Sequence, residues 1–167
     1  MGSRIVTTPR VSVLLPARDA ASTIEAALAS LQRQTLADWE CVVVDDVSRD
    51  DTAARVTALA RRDPRIVLVR GQGQGIAAAL TTGLGSARAP YVARMDADDL
   101  MRRDRLARQV AALEDDPSLA GDGARVRIFP RASLRDGWRA YERWLNAIDT
   151  PERVRAEAFV ENPIVHP

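Results

Sequence analysis

The sequence predicts an α/β fold in which a mostly parallel β-sheet carries helices on both faces. Short apolar runs rich in β-branched residues alternate along the chain with longer segments of helical period. The apolar runs lack polar alternation, which is typical of parallel strands that helices bury on both faces. A chain of 167 residues is long enough to bury the core that such a sheet needs.

Four strands are predicted where apolar and β-branched residues are concentrated, over residues 11–16, 41–46, 66–69 and 91–95. A weaker fifth strand is predicted over residues 126–129. Right-handed crossover connections place the carboxyl ends of parallel strands at one edge of the sheet. Ligands bind at that edge in open α/β sheets, so we expect functional residues just after each strand.

Helices are predicted between the strands and near the end of the sequence, over residues 22–34, 51–62, 76–87, 102–113 and 151–159. The first helix begins with Ser22 and Glu25, which have the S-x-x-E spacing of a capping box. The last begins with Thr150 as the N-cap, a proline at the first helical position and an acid in the first turn. Both helices therefore carry a start signal as well as an apolar period.

The four βα units occupy residues 1–120, and residues 121–167 differ from them in pattern. A loop that contains two glycines and a proline, near residues 115–123, separates the two parts. We expect the two parts to form a single domain overall.

The composition excludes several classes of protein. The 24 basic residues and 23 acidic residues leave a formal charge of +1, which argues against a nucleic-acid-binding face. Every basic residue is an arginine, so Schiff-base chemistry and a P-loop lysine are excluded. No apolar stretch approaches the length of a transmembrane helix. The single cysteine, Cys41, suits a reducing compartment, so we expect a cytoplasmic protein.

Charged residues follow three of the predicted strands. Arg18 and Asp19 follow the first strand, Asp45 and Asp46 end the second, and an acidic segment at residues 96–99 follows the fourth. Hard divalent cations prefer oxygen ligands and commonly share them between carboxylates and a diphosphate. The positions therefore predict one crevice, in which the carboxylates either hold a cation beside an anionic ligand or bind the hydroxyls of its sugar and base.

Residues 73–78 have the sequence GQGIAA, which fits the G-x-G-x-x-[GA] pattern of dinucleotide-binding domains. The pattern follows a predicted strand and opens a predicted helix, as that interpretation requires. Against it, two complete βα units precede the glycines, whereas dinucleotide-binding domains usually begin with them. Glycines that form a tight strand-to-helix turn are the other interpretation, and an NAD(P)-binding protein is kept as an alternative.

Three blocks, in this order along the chain, resemble family 2 glycosyltransferases. They are VSVLLPARDAASTIEAALASLQRQTLADWECVVVDDVSRDDT, GIAAALTTGLGSARAPYVARMDADDLMRRDRLARQV and FVENPIVHP. The resemblance implies a GT-A-like (Rossmann-like) fold and a metal-dependent enzyme that transfers a sugar from a nucleotide diphosphate with inversion of the anomeric carbon. The second block contains the D-x-D signature of that family, here Asp96, Ala97 and Asp98.

The resemblance also implies roles for residues at the carboxyl edge. The nucleotide-sugar-binding residues would be Pro16, Ala17, Arg18, Asp19, Asp45, Asp46, Gly75, Asp96 and Ala97. One of Asp45 and Asp46 would accept a hydrogen bond from a pyrimidine ring. Asp98, with Asp96, would bind Mn²⁺ or Mg²⁺, and the cation would offset charge on the departing diphosphate. A UDP-sugar is the expected donor, and the expected acceptor is a saccharide or a lipid-linked glycan.

Two of the departures of the sequence from the family pattern concern the site. Val47 stands where the family has a glycine, so this turn cannot adopt positive φ as readily as a glycine turn does. The family's catalytic base lies in an acidic motif beyond the position of Pro167, so no residue of this sequence is assigned as the base. Residues 121–167 would be the start of an incomplete acceptor-side region, and a catalytically incomplete nucleotide-sugar-binding module is the alternative function.

Four large apolar residues recur with helical spacing near the end of the sequence, namely Trp138, Tyr141, Trp144 and Leu145. Packing of an amphipathic helix against a core is the first interpretation. A stacking platform for an acceptor sugar is the second. The third is a face that docks peripherally on the inner surface of a membrane, with Arg139 and Arg143 alongside.

Overall fold

A computed structural model of the chain describes residues 8–159 and residue 164. These residues form two compact units, here called the N-terminal unit (residues 8–111) and the C-terminal unit (residues 112–159 and 164). All the expected nucleotide-binding and metal-binding residues belong to the N-terminal unit.

The N-terminal unit contains a four-stranded sheet. Its strands are β1 (Val11–Ala17), β2 (Trp39–Asp45), β3 (Ile66–Arg70) and β4 (Tyr91–Arg94), in the spatial order β3-β2-β1-β4. All three strand pairings are parallel, so the carboxyl ends of the strands meet at one edge. The four predicted strands and the parallel α/β fold are confirmed.

Four helices follow the strands, namely α1 (Ile24–Gln32), α2 (Thr52–Ala60), α3 (Ile76–Ser86) and α4 (Arg105–Asp115). The larger core cluster contains alternate residues of β1 and β2 together with residues of α1, α2 and α4. The intervening strand residues Leu14, Val42 and Val44 form a second cluster with Ala79 of α3. Both faces of the sheet are therefore covered, which explains why the strands lack polar alternation.

The start of α1 differs from the prediction. Thr23, not Ser22, is the N-cap, and no side chain caps the helix. The amides of Thr23 and Ile24 both donate to the carbonyl of Ala20, so the chain enters the helix through a backbone turn that makes a capping box unnecessary. The expected capping partner, Glu25, lies 3.2 Å from the guanidinium of Arg55 on α2 instead.

Glu40 organises the amino edge of the sheet, opposite the edge at which ligands are expected. It is 2% exposed and accepts hydrogen bonds from Ser12 Oγ at 2.6 Å and from the Arg88 amide at 2.8 Å. Burial raises the pKa of the Glu40 carboxyl, but the Ser12 and Arg88 donors outweigh that effect and the net pKa is lowered. This buried carboxylate therefore anchors the connection between α3 and β4.

The C-terminal unit contains α5 (Asp136–Ala147) and α6 (Pro151–Glu157). The predicted start of α6 is confirmed, because the Thr150 side chain accepts a hydrogen bond from the Arg153 amide. No helix among the described residues is long and apolar enough to cross a membrane.

The predicted fifth strand is wrong, because residues 126–129 form no strand. Side chains of α5 bind this backbone instead of a neighbouring strand. The Asn146 amide pairs with both the N–H and the carbonyl of Val126, each at 2.8 Å. Glu142 accepts from the Ile128 amide at 2.6 Å. The β-branched residues of this segment were not sufficient to form a strand because a strand also needs a partner.

Candidate functional site

The carboxyl edge of the sheet brings together the segments that follow β1, β2 and β4. β1 lies between β2 and β4 and is paired in register with both, with Ala17 opposite Asp45 and Leu14 opposite Arg94. The same register, continued past Arg94, places residues 96–97 level with residues 16–17. Because adjacent strands lie about 4.8 Å apart, the ends of β2 and β4 are separated by roughly two strand spacings across the end of β1.

Asp46 holds the loop that follows β3. Its side chain is 3% exposed, and its two carboxylate oxygens accept hydrogen bonds from the Gly73 amide at 2.7 Å and the Gly75 amide at 2.9 Å. Gly71 passes so close that an added Cβ would lie 2.8 Å from Asp46 Oδ1. Gly73 and Gly75 both have positive φ, 72° and 90°, which glycine adopts without strain. Asp46 thus supports residues 71–75, which are called the glycine loop below.

Asp45, the neighbour of Asp46 in the sequence, differs from it in its hydrogen bonds. It is half-buried, and its Oδ1 atom is buried without a hydrogen-bond donor among the described residues. A buried carboxylate oxygen without a donor is costly, so a ligand or a water that donates a hydrogen bond is expected there. Of the two adjacent acids, Asp45 can therefore accept a hydrogen bond from a bound base. Both oxygens of Asp46 already accept hydrogen bonds from backbone amides.

The glycine loop does not support the dinucleotide-binding alternative. It follows β3, which is an edge strand of the sheet, whereas the pyrophosphate of a dinucleotide lies beside the first, central strand. The amides of Gly73 and Gly75 donate to the Asp46 carboxylate. An anion placed on those amides would have to displace a buried negative charge. The glycines form a strand-to-helix turn, as the second interpretation stated.

Reciprocal hydrogen bonds join the loop after β1 to the loop after β2. The Asp19 amide donates to Ser48 Oγ at 3.0 Å, and the Asp19 carboxylate accepts from the Arg49 amide at 2.7 Å. Two further bonds run from Ala20 N to Thr52 Oγ1 at 2.8 Å and from Ala21 N to Asp50 Oδ2 at 2.9 Å. This connection holds Asp19 in place, while the neighbouring Arg18 is exposed and has no ion-pair partner within the described part of the chain.

Val47 has φ of +63°, so this turn adopts positive φ even though valine does so less readily than glycine. The turn keeps the conformation that glycine favours, although a β-branched residue occupies it. Asp46 on one side is fixed by the glycine loop and Ser48 on the other is fixed by Asp19, so the surrounding contacts impose the conformation on Val47. A β-branched residue in the left-handed region is strained.

Three carboxylates follow β4 in the sequence, at positions 96, 98 and 99. Arg94 donates to Asp96 Oδ1 from Nε at 3.2 Å and from Nη2 at 3.1 Å. Asp98 is exposed, with no hydrogen bond or ion pair among the described residues. Burial, with the charges of Asp98 and Asp96, raises the pKa of Asp99, and Arg105 offsets part of this effect. The segment therefore has a local excess of negative charge.

These carboxylates fit a cation that is shared with a ligand rather than one held by protein alone. The described residues contain no group of three or more side chains positioned to hold a metal ion. A Mg²⁺-type site commonly uses one or two carboxylates and completes its coordination with phosphate oxygens and water. The free carboxylate of Asp98 and the second oxygen of Asp96 suit that arrangement. A cation bound there would offset the repulsion of Asp98 and Asp96 for the negative charge of Asp99.

Several residues that build the site are missing from the sequence-based prediction. Ser48 and Thr52 join the loops after β1 and β2, and Arg94 orients Asp96. Asp50, which accepts from the Ala21 amide, is missing from it as well. The run VSRDDT after β2 is rich in residues whose side chains bind backbone amides. This composition could have indicated Ser48 and Thr52.

The aromatic stripe on α5 lies in the C-terminal unit. Leu145 is buried, Tyr141 and Trp144 are half-buried, and Trp138 is 55% exposed. Core packing therefore accounts for Leu145 but does not account for Trp138.

A comparison with known proteins identifies the family. The model of the family described as glycosyl transferase family 2 matches residues 12–162. The succinoglycan biosynthesis protein ExoO of Rhizobium meliloti is 36% identical over 138 residues, covering 75% of this chain and 38% of that protein. The Escherichia coli UDP-Glc:alpha-D-GlcNAc-diphosphoundecaprenol beta-1,3-glucosyltransferase WfgD is 35% identical over 104 residues, covering 62% of this chain and 40% of that protein.

Solved structures agree on the fold. The mannosyltransferase PcManGT from Pyrobaculum calidifontis, in complex with GDP-Man and Mn²⁺, has a TM-score of 0.62 and 36% identity, covering 68% of this chain and 34% of that one. TarS from S. aureus has a TM-score of 0.59 and 24% identity, covering 73% of this chain and 23% of that one. The predicted GT-A-like fold is confirmed. The chain spans 38% and 40% of the length of the two curated relatives named above.

Proposed function

This chain belongs to glycosyl transferase family 2, and we propose that its N-terminal unit binds the nucleotide diphosphate of a sugar donor at the carboxyl edge of the sheet. The observation that carries the proposal is the buried Oδ1 atom of Asp45, which has no donor among the described residues. The imide N–H of uracil is a donor of the required kind. The relative from Escherichia coli, whose printed name gives UDP-Glc as its donor, supports a UDP-sugar.

Pro16 and Ala17 would line this pocket beside Asp45, and Gly75 would let backbone approach the base. Arg18 would meet the phosphates, because it is an exposed cation at the same edge with no ion-pair partner among residues 8–159. Asp19 and Asp46 would act indirectly, by holding the loops whose backbone surrounds the nucleotide.

Asp98 and Asp96 would hold Mn²⁺ or Mg²⁺ together with the diphosphate, with Ala97 as the buried spacer between them. The mannosyltransferase from Pyrobaculum calidifontis, which was solved with Mn²⁺, supports this assignment. When bound, the cation supplies neutralisation of the charge that develops on the diphosphate. Arg94 would keep Asp96 turned toward the site through its two hydrogen bonds.

The reaction proposed for the whole protein is an inverting sugar transfer. A hydroxyl oxygen of the acceptor forms a bond to the anomeric carbon as the bond from that carbon to the diphosphate oxygen breaks. The hydroxyl proton passes to a carboxylate base, which we do not assign to a residue of this chain. The acceptor would be a saccharide or a lipid-linked glycan, and the name of the Escherichia coli relative supports the second.

A second proposal is a nucleotide-sugar-binding module without a complete acceptor side. This chain spans 38% and 40% of the length of the two curated relatives named above, so this proposal concerns the given residues and not the whole protein. Both proposals expect UDP-sugar to bind. Release of UDP from a UDP-sugar, with or without an acceptor, would favour the enzyme, and binding without any turnover would favour the module.

Calorimetric titration of UDP in the presence and absence of Mn²⁺ tests the donor and metal assignments together. We expect Mn²⁺ to strengthen UDP binding to the natural chain and to have no effect on Asp98→Ala. Asp51→Ala is the matched control, because Asp51 is an exposed acid at the start of α2 whose side chain makes no capping bond. Unchanged Mn²⁺ dependence in Asp98→Ala would remove Asp98 from the metal site, and tighter binding of GDP than of UDP would overturn the choice of nucleotide.

A further inference from the structure

At the carboxyl edge of the sheet, three residues from three neighbouring strands lie in one row. The register pairs Asp45 of β2 with Ala17 of β1 on one side and with Arg70 of β3 on the other. Val43 and Leu68, two positions before Asp45 and Arg70, both pack in or against the larger core cluster. Because side chains alternate between the two faces of a strand, Asp45 and Arg70 lie on that same face, on strands about 4.8 Å apart.

These two neighbours carry opposite charges but do not pair with each other. The Oδ1 atom of Asp45 is buried and has no hydrogen-bond donor among the described residues. Arg70 is exposed, and its guanidinium has no hydrogen bond or ion pair among residues 8–159. An acceptor and a donor are thus adjacent and both available. This arrangement suits a ligand that presents a donor next to an acceptor.

We propose that Arg70 recognises the base of the sugar donor together with Asp45, an inference that rests on the proposed function and deepens it. Asp45 accepts from a ring N–H, and Arg70 donates to the carbonyl oxygen beside that N–H. Uracil presents these groups as N3–H and O4, and guanine presents them as N1–H and O6.

Cytosine and adenine present a different pair of groups, namely a ring nitrogen without hydrogen beside an amino group. In the same position, the Asp45 carboxylate would meet a lone pair and the Arg70 guanidinium would meet a second donor. Arg70 is therefore a specificity-determining residue that favours UDP over CDP. The pair does not separate UDP from GDP, because guanine has the same two groups.

The order of the strands places Arg70 at the base rather than at the diphosphate. The proposed metal ligands Asp96 and Asp98 follow β4, whereas Arg70 ends β3 at the opposite edge of the sheet. Arg18, the cation proposed to meet the phosphates, follows β1, which is the neighbour of β4. Asp45 on β2 lies between Arg18 and Arg70 in this order. A contact of Arg70 with the base therefore fits the layout better than a contact with phosphate.

Calorimetric titration of the full chain with UDP and with CDP, both in the presence of Mn²⁺, tests the proposal. We expect the natural chain to bind UDP about tenfold or more tightly than CDP, because a matched pair of hydrogen bonds discriminates between bases to that extent. Arg70→Met removes the donor and keeps an unbranched side chain, so UDP affinity should fall about tenfold while CDP affinity changes little. Arg70→Lys keeps a cationic donor and should recover part of the preference for UDP.

Two other arginine variants serve as controls. Arg61→Met changes an exposed arginine at the C-terminal end of α2 and should bind both nucleotides as the natural chain does. Arg18→Met should weaken UDP and CDP in the same proportion, as expected of a contact with phosphate. Circular dichroism should show the same fold in every variant.

The outcomes separate this inference from the proposed function. Equal affinity of the natural chain for UDP and CDP, or an equal fall for both nucleotides in Arg70→Met, would overturn the role of Arg70 in recognising the base. If Asp45→Asn weakens UDP binding while Arg70→Met does not, the donor site stands and only this inference fails. Absence of UDP binding to the natural chain would overturn the proposed function itself.

Discussion

Replacement of Asp46 by asparagine is expected to loosen the glycine loop and to destabilise the fold. Each carboxylate oxygen of Asp46 accepts one backbone N–H, from Gly73 at 2.7 Å and from Gly75 at 2.9 Å. Asparagine keeps one acceptor oxygen, but its NH₂ group would face the other N–H, so two donors would meet in a buried position. The perturbation changes neither the size nor the shape of the side chain.

The magnitude follows from those two bonds. A hydrogen bond to a charged group contributes about 1.5–3 kcal/mol, and a donor left unsatisfied costs a further 1–3 kcal/mol. Because Gly73 is exposed and the loop can relax toward water, we expect the lower part of that combined range, a loss of about 2–3 kcal/mol in the free energy of unfolding. Urea denaturation followed by circular dichroism measures it.

Asp45→Asn is the matched control. Asp45 Oδ1 has no donor among the described residues, so the free energy of unfolding should change by less than about 0.5 kcal/mol. UDP affinity should fall roughly fivefold, because a charge-assisted hydrogen bond becomes a neutral one. If Asp46→Asn unfolds within about 0.5 kcal/mol of the natural chain, the assignment of Asp46 as the support of the loop is refuted. Equal stability losses in the two variants would refute the distinction between them.

Two further predictions concern stability. Val47→Gly should raise the free energy of unfolding by about 1 kcal/mol in urea denaturation, because positive φ is costly for an L-residue. The flexibility of glycine in the unfolded chain offsets part of the gain. Val47→Ala, which keeps the Cβ, should bring no comparable gain. Arg65 donates to Asp63 and lowers the pKa of Asp63 to about 2 from 3.8, so the stabilisation is complete above about pH 4 and is lost as the pH falls toward 2. Asp63→Asn should therefore be less stable than the natural chain by about 2 kcal/mol near pH 5 and equally stable near pH 2, and a constant difference would contradict this.

The strands and most helices could be predicted because their determinants are local. β2 is a run of buried residues from Trp39 to Val44, and such a run has few stable conformations apart from a strand covered on both faces. The N-cap of α6 was predictable for the same reason, since Thr150 binds an amide only three residues ahead.

The incorrect predictions concern features whose partners lie elsewhere. Residues 126–129 have strand-like composition, but Asn146 and Glu142 on α5 satisfy their backbone. Ser22 and Glu25 have the spacing of a capping box, but the backbone turn from Ala20 replaces it. In each case a competing hydrogen-bond partner decided the outcome, and no local pattern reveals that competition.

The parallel direction of the strands and the edge of the sheet that carries the acidic residues follow from the alternating apolar runs and helical periods, so the sequence alone determined where the site had to be. Only the tertiary structure decided what each acid does there. Asp45 and Asp46 are chemically identical neighbours, yet one accepts two amides from a loop more than 25 positions away and the other keeps an oxygen without a donor. The physical reason is that a carboxylate's role depends on which donors the fold brings to it, and those donors belong to distant parts of the chain.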